Sequence, residues 1–337
     1  METIRWGMIG CGEVTEVKSG PGLYKAAHST LLGVTNRTLA KAESYALRHG
    51  VSRVYPDVAA LLADPEIDAV YIATPPAEHQ ALTLQAAAAG KHVYVEKPMA
   101  MNHDECKDMI AACQSAGVRL YVAFYRRAMP RFLQVKDWID QGAIGTVCTV
   151  SILQRQKPAP NELSPETLPW RLHADVAGGG KFLDMGVHVL DMLAFWFGPV
   201  SEVQGHASNR GGLYDVEDTV TATWRHANGV TGVGNWCYVG HDDADRVEIT
   251  GTHGRIEFAF FADSPLRLVT LAGVKETAIA NPTHVQQPFI QGIVDDLNGI
   301  SGYPGDTQAA AQTTAVVDRI LDSFRRGTAG PVLGTNR

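Results

Sequence analysis

Ile4-Arg5-Trp6-Gly7-Met8-Ile9-Gly10-Cys11-Gly12 is the stretch on which the fold of this chain turns. Its first six residues form a short apolar run suited to a buried parallel strand, and the run ends in a glycine turn. In a Gly10-x-Gly12 turn the first glycine permits a tight reversal and the second lets the backbone approach a pyrophosphate. A helix starting there would point free amides and a partial positive charge at the same phosphates. The third position of the fingerprint is Thr15 rather than Gly or Ala, so a glycine turn of some other α/β protein stays open on the motif alone.

The surrounding pattern narrows that reading. A second strand runs from Thr30 to Thr35, followed by helical periodicity from Leu39 to His49 with Gly50 as its stop. Asp57 opens a helical stretch over Val58 to Leu62, and Ala69 to Thr74 is a strongly apolar strand. Pro75-Pro76 interrupts the chain before an alanine-rich helix from Ala77 to Ala89 that closes at Gly90. A strand over His92 to Val95, a helix over Asp104 to Ala116 and a strand over Arg119 to Phe124 follow. Strand–helix units of about 30 residues imply a parallel sheet with helices on both faces.

After Phe124 the pattern changes. One helix, Arg131 to Asp140, leads to alternating segments over Thr146 to Gln154, Val216 to Arg225, Val230 to Val239 and Arg246 to Ile249. His226-Ala227-Asn228-Gly229 reads as a hairpin turn, and helices over Val285 to Leu297 and Asp306 to Arg325 end the chain. The expected architecture is an α/β Rossmann domain over residues 1–125 and an α+β domain over 126–337. The second carries a large open, mostly antiparallel sheet, and its C-terminal helices are free to pack back on the first domain.

Composition bounds the function. The 337 residues are 45% hydrophobic and 19% charged, as in a globular protein, and the formal charge of −7 argues against a nucleic-acid partner. No stretch approaches the ~18 uncharged apolar residues of a membrane span, and the N-terminus lacks the pattern of an export signal. The five cysteines, Cys11, Cys106, Cys113, Cys148 and Cys237, have no paired spacing, which fits reduced thiols in the cytoplasm.

Three constellations suggest chemistry. At the end of the second strand, where NAD-binding domains usually carry an acid for the ribose hydroxyls, stands Thr35-Asn36-Arg37-Thr38, with Lys41 a turn later. An amide, a guanidinium and an ammonium suit a 2′-phosphate, so NADP is expected over NAD, unless Arg37 and Lys41 are only solvated charges. Glu96-Lys97-Pro98 follows a strand at the end where ligands gather in open α/β sheets, and its Lys-Pro bond could be cis. Taken alone, such a tripeptide is usually a charged loop.

The third is Gly178-Gly179-Gly180-Lys181-Phe182-Leu183-Asp184-Met185-Gly186-Val187-His188. Asp184 and His188, four apart in a helical pattern, would share a face and could move a proton. A structural histidine is the bland alternative; a metal held by Asp184, His188 and Asp191 is also conceivable but has no second ligand cluster, and no metal is expected. Tyr125, Arg127, Trp170, Arg171, His173 and Asp175 are polar and aromatic candidates for binding a hydroxylated ligand.

Together these motifs strongly resemble the Gfo/Idh/MocA oxidoreductase family over almost the whole chain. The resemblance includes Thr74-Pro75-Pro76 with His79, Phe124-Tyr125-Arg126-Arg127, and Trp170-Arg171 before the glycines. It implies hydride transfer between NAD(P) and a hydroxyl or carbonyl of a sugar, cyclitol or related diol, in a homodimer or homotetramer built through the second-domain sheet. It implies that Lys97 is the catalytic lysine, with Asp184 and His188 as substrate-side partners. It further implies a cofactor held by Gly10, Gly12, Glu13, Val14, Asn36, Arg37, Lys41, Thr74, Pro75, His79, Glu96, Lys97 and Arg126. Spacing does not fix whether Lys97 or His188 is the acid/base. A catalytically silent sensor of dinucleotide or sugar on the same fold is the alternative, against which the complete set of Lys97, Asp184 and His188 counts.

Overall fold

The computed structural model describes residues 1–300 and 302–327. They divide into two compact units, one of residues 1–134 and 280–311, the other of residues 135–279 and 312–337 so far as described.

In the first unit, β1 (Ile4–Ile9), β2 (Ser29–Thr35), β3 (Arg53–Val54), β4 (Ala69–Ile72), β5 (His92–Val95) and β6 (Leu120–Val122) form a parallel sheet. The strand order β3-β2-β1-β4-β5-β6 is that of the doubly wound dinucleotide-binding fold. The connecting helices are α1 (Glu13–Val17), α2 (Gly20–Lys25), α3 (Leu39–His49), α4 (Val58–Ala63), α5 (His79–Ala88) and α6 (His103–Ser115). Local signals set their starts: the Asp57 carboxylate accepts from Ala60 N, and the Asn102 side chain accepts from Glu105 N. The Pro75-Pro76 stop is a single 3-10 turn, Pro76–Glu78, running directly into α5.

Buried aromatics fill this unit. Tyr71 and Tyr94, from adjacent strands, stack with ring centroids 4.9 Å apart, and Phe289 of α10 (Gln287–Leu297) lies 6.2 Å from Tyr94. The segment 280–311 is therefore part of the unit that begins the chain.

The second unit is built on eight strands in the order β14-β13-β12-β11-β7-β10-β9-β8. They are β7 (Val147–Arg155), β8 (Val200–Ser208), β9 (Thr219–His226), β10 (Thr231–Cys237), β11 (Ala244–Gly251), β12 (Gly254–Phe258), β13 (Leu266–Thr270) and β14 (Gly273–Thr277). Every pairing is antiparallel except β10 with β7, which is parallel because the chain returns to the middle of the sheet after a long excursion. One face is buried: Val220, Ala222 and Trp224 of β9 point inward while Thr221, Thr223 and Arg225 are exposed. Among the helices, α8 (Ala174–Ala177) and α9 (Val187–Phe197) lie wholly within this unit. By contrast α7 (Pro130–Asp140) and α11 (Thr307–Arg325) each cross the boundary between units.

Candidate active site

In the first unit the glycine turn has the form a phosphate cradle needs. Gly10 has φ +98°, and a Cβ there would stand 2.8 Å from the Ala73 carbonyl oxygen. Gly12 caps α1 in extended conformation, is exposed, and would have nothing within 4 Å of a Cβ. Glu13 is exposed and Val14 half-buried beside it. The departure at Thr15 is accommodated inward: the residue is buried, its hydroxyl donates to the Gly12 carbonyl at 2.7 Å, and its own carbonyl accepts from Tyr45. Across the turn, the buried Thr74 hydroxyl has no hydrogen-bond partner among the described residues. An open glycine backbone facing an unsatisfied hydroxyl fits a dinucleotide. Pro75 is half-buried next to it.

At the end of β2, Asn36 turns back on its own loop, accepting from Thr38 N at 2.9 Å. Arg37 and Lys41 are exposed, and neither side chain has an ion-pair partner among the described residues.

His79 is fully buried, with Nε2 2.9 Å from the Thr74 carbonyl and Nδ1 3.0 Å from that of Pro98. Burial lowers its pKa, so the ring is neutral and can donate to one of these carbonyls at a time. It braces the turn after β4 against the turn after β5, where the Lys97–Pro98 peptide is cis. Lys97 itself is half-buried.

Glu96 is only 6% exposed. Its Oε1 accepts from the Tyr71 hydroxyl at 2.6 Å and from Gln286 Nε2 at 2.7 Å, while Oε2 accepts from Lys97 N at 3.2 Å. Tyr94 donates to Gln286 Oε1 at 2.5 Å, and Ser19 Oγ lies 2.8 Å from Tyr71. This buried chain fixes the backbone on which Lys97 stands. Sequence reasoning missed Gln286, which lies 190 positions from Glu96 with no local pattern to mark it. At the 3-10 turn Tyr125–Ala128, the Arg126 guanidinium lies 5.7 Å from the Tyr125 ring and 5.3 Å from that of Phe132, and Arg127 is buried.

In the second unit the glycine-rich motif folds differently from a plain α-helix. Phe182–Gly186 is a π-helical turn that passes into α9, so Asp184 sits on the wide turn and His188 on the α-helix after it. Within this turn Gly186 has no room for a side chain, since a Cβ would fall 2.6 Å from the Phe182 ring. That ring is held edge-on to Trp236, with centroids 4.9 Å apart.

His188 is 5% exposed and Asp191 1%. Asp184 Oδ2 lies 3.6 Å from Arg171 Nε, and the Arg171 guanidinium stacks 4.5 Å from the ring centre of Trp170, which is itself exposed. Three of the named residues, Trp170, Arg171 and Asp184, are thus brought together. His173 is exposed, with Nε2 3.4 Å from the Leu168 carbonyl, and Asp175 lies in the first turn of α8.

Another acid, unremarked in the sequence, lies beneath the glycines. Glu217 is 2% exposed, and its Oε1 accepts from Gly180 N at 2.8 Å. Burial pushes its carboxyl up to about 7. In the sequence it is an acid near the start of the alternating segment Val216 to Arg225, indistinguishable there from a surface charge.

Comparison with known proteins agrees with the two-part fold. Residues 4–124 match the Gfo/Idh/MocA model described as an oxidoreductase family with an NAD-binding Rossmann fold, and residues 132–257 match its C-terminal domain. The chain is 35% identical to Oxidoreductase P35 of Formosa agariphila, over 94% of this chain and 97% of that one. It is 30% identical to the 1,5-anhydro-D-fructose reductase of Ensifer adhaerens, covering 75% of this chain and 74% of that protein. Among solved structures, levoglucosan dehydrogenase in complex with NADH and levoglucosan superposes with a TM-score of 0.83 at 26% identity, over 96% of this chain and 98% of that one.

Proposed function

The chain belongs to the Gfo/Idh/MocA oxidoreductase family, and on that premise we propose that it moves hydride between NADP(H) and the hydroxyl or carbonyl carbon of a sugar, cyclitol or related polyol. The observation that carries this reading is a single sheet edge. The carboxyl ends of the neighbouring strands β1, β4 and β5 present the Gly10–Gly12 cradle, the unsatisfied Thr74 hydroxyl and Lys97 side by side. Two of the relatives named above are a reductase and a dehydrogenase, which counts against a silent sensor.

The bound nicotinamide supplies or accepts the hydride. The Lys97 ammonium donates a charged hydrogen bond to the reacting oxygen and stabilises its developing negative charge. His188 exchanges the hydroxyl proton, since an imidazole can both accept and return one. Asp184 holds the substrate. The neighbouring Trp170 and Arg171 give it the aromatic and hydrogen-bonding surface a polyol requires. The preference for NADP rests on Arg37 and Lys41, exposed beside Asn36 with no acid in the loop to repel a 2′-phosphate.

A cytoplasmic location is supported by the five thiols; no described helix is long and apolar enough to cross a membrane. Assembly into a dimer or tetramer through the exposed face of the eight-stranded sheet is supported by Val233, 43% exposed on β10 among Thr231 and Asn235.

Stopped-flow measurement of hydride transfer across pH in Lys97→Ala and His188→Ala tests the assignment. Each is expected to slow the step by about 10²–10⁴-fold while cofactor binding persists. Near-normal rates in both would overturn the mechanism.

A further inference from the structure

We propose that Glu217 is a positioning residue: from a separate loop it caps the helix that carries Asp184 and His188, and so sets where those two side chains stand. This rests on the reading that Asp184 and His188 work on the substrate. A helix start leaves amides without intrahelical partners, and the run Gly178-Gly179-Gly180 offers no side chain to take them up. Glu217 does so instead, across 37 positions of sequence, accepting from Gly180 N at 2.8 Å. The glycines are what make room. A Cβ on Gly180 would fall 2.3 Å from the Glu217 carbonyl oxygen, and one on Gly179 would meet the carboxylate at 3.3 Å.

The loop that presents Glu217 is itself clamped. The Asp218 carboxylate accepts from Arg210 N and from Gly211 N at 2.6 Å, and Asn209 Nδ2 donates to the Val216 carbonyl at 3.0 Å. On its other side Tyr214 and Val216 pack against Leu172. One rigid loop therefore supports both the π-helical turn bearing Asp184 and the Trp170–Leu172 turn bearing Arg171. From the far side, Arg325 Nη2 donates to the Gly178 carbonyl at 3.0 Å, so the glycine run is gripped at both ends.

The capping group is also titratable near neutrality. Burial raises it to about 7, against the Gly180 amide and the charge of Arg325, which favour the ionised form. Among the described residues, Tyr214 on its own loop and Tyr238 after β10 share its electrostatics; Asp218 is its neighbour in sequence, Lys181 and Asp184 stand on the capped helix, and Glu162 pairs with Lys181 at 2.7 Å. Opening of the turn returns the carboxylate to water, where it ionises near its ordinary pH. Since the folded pKa is raised, the closed turn is strongest at low pH and weakens as pH rises to about 7, then levels off.

Hydrogen–deuterium exchange on the full chain, with rates corrected for intrinsic pH dependence, tests this without a substrate. Its failure is therefore separate from failure of the proposed activity. In Glu217→Ala, peptides covering 180–188 are expected to exchange roughly five- to thirtyfold faster, with those of α3 unchanged. Wild type should lose protection over 180–188 between pH 5 and neutrality, while Glu217→Gln, which keeps an acceptor but cannot ionise, stays flat and protected. Wild-type protection in Glu217→Ala overturns the proposal. So does a pH dependence in Glu217→Gln equal to wild type, a comparison that holds even where Glu217→Ala does not fold.

Discussion

At the scale of single residues, the proposed preference for NADP rests on very few atoms. Arg37 stands exposed with no ion-pair partner among the described residues, so its guanidinium is available to a phosphate. Arg37→Ala is expected to weaken NADPH binding by about ten- to a hundredfold, the loss of a hydrogen bond to a charged group, and to leave NADH binding nearly unchanged. Fluorescence titration of both cofactors checks it, and equal losses for the two would count against a 2′-phosphate contact. Such proposals can be drawn from sequence because their signals are local: Gly10 and Gly12 follow a strand, and Asn36-Arg37 stands where an acid usually does. Glu217 and Gln286 were not legible, since each acquires its meaning from a partner distant in sequence. Burial, which separates them from ordinary surface side chains, is a property of the fold.

At the scale of elements, the same division appears between periodic and irregular segments. Five strands of the first unit read as apolar runs because they are buried on both faces, and α3 and α5 were read to their stops at Gly50 and Gly90; β3, two half-buried residues, was missed. In the second unit β8 was missed, because as an edge strand it has few buried residues and so no alternation to detect. The exposed hairpin of β13 and β14 was missed for the same reason. The helix at Asp184 was expected, but its π-helical turn, within which Phe182 lies over Gly186, was not. Gly186→Ala should therefore destabilise the protein by about 1–2 kcal/mol in chemical denaturation, although alanine is otherwise the better helix former. Adding Phe182→Leu should recover part of that loss, because the two changes share one contact. A stabilising Gly186→Ala would show that the ring gives way freely.

At the scale of the whole molecule, the chain devotes one unit to a parallel sheet whose strand order is that of dinucleotide-binding proteins. Its other unit carries a broad sheet with a charged and aromatic patch at Trp170, Arg171 and Asp184. The parallel sheet and the change of pattern near Phe124 follow from strand–helix alternation in the sequence; the order of the parallel strands and the parallel β10–β7 pair do not, because they depend on how the chain crosses and returns to each sheet. The central claim is that this chain oxidises or reduces a polyol with a nicotinamide cofactor. It is tested most directly by following absorbance of the reduced cofactor while NADP and NAD are each offered with a panel of aldoses, anhydrosugars and inositols, and the reduced cofactors with the matching ketones. The account predicts turnover with at least one sugar or cyclitol, faster at limiting cofactor with NADP(H), and its loss in Lys97→Ala. Tight cofactor binding with no turnover across the panel in either direction would contradict it.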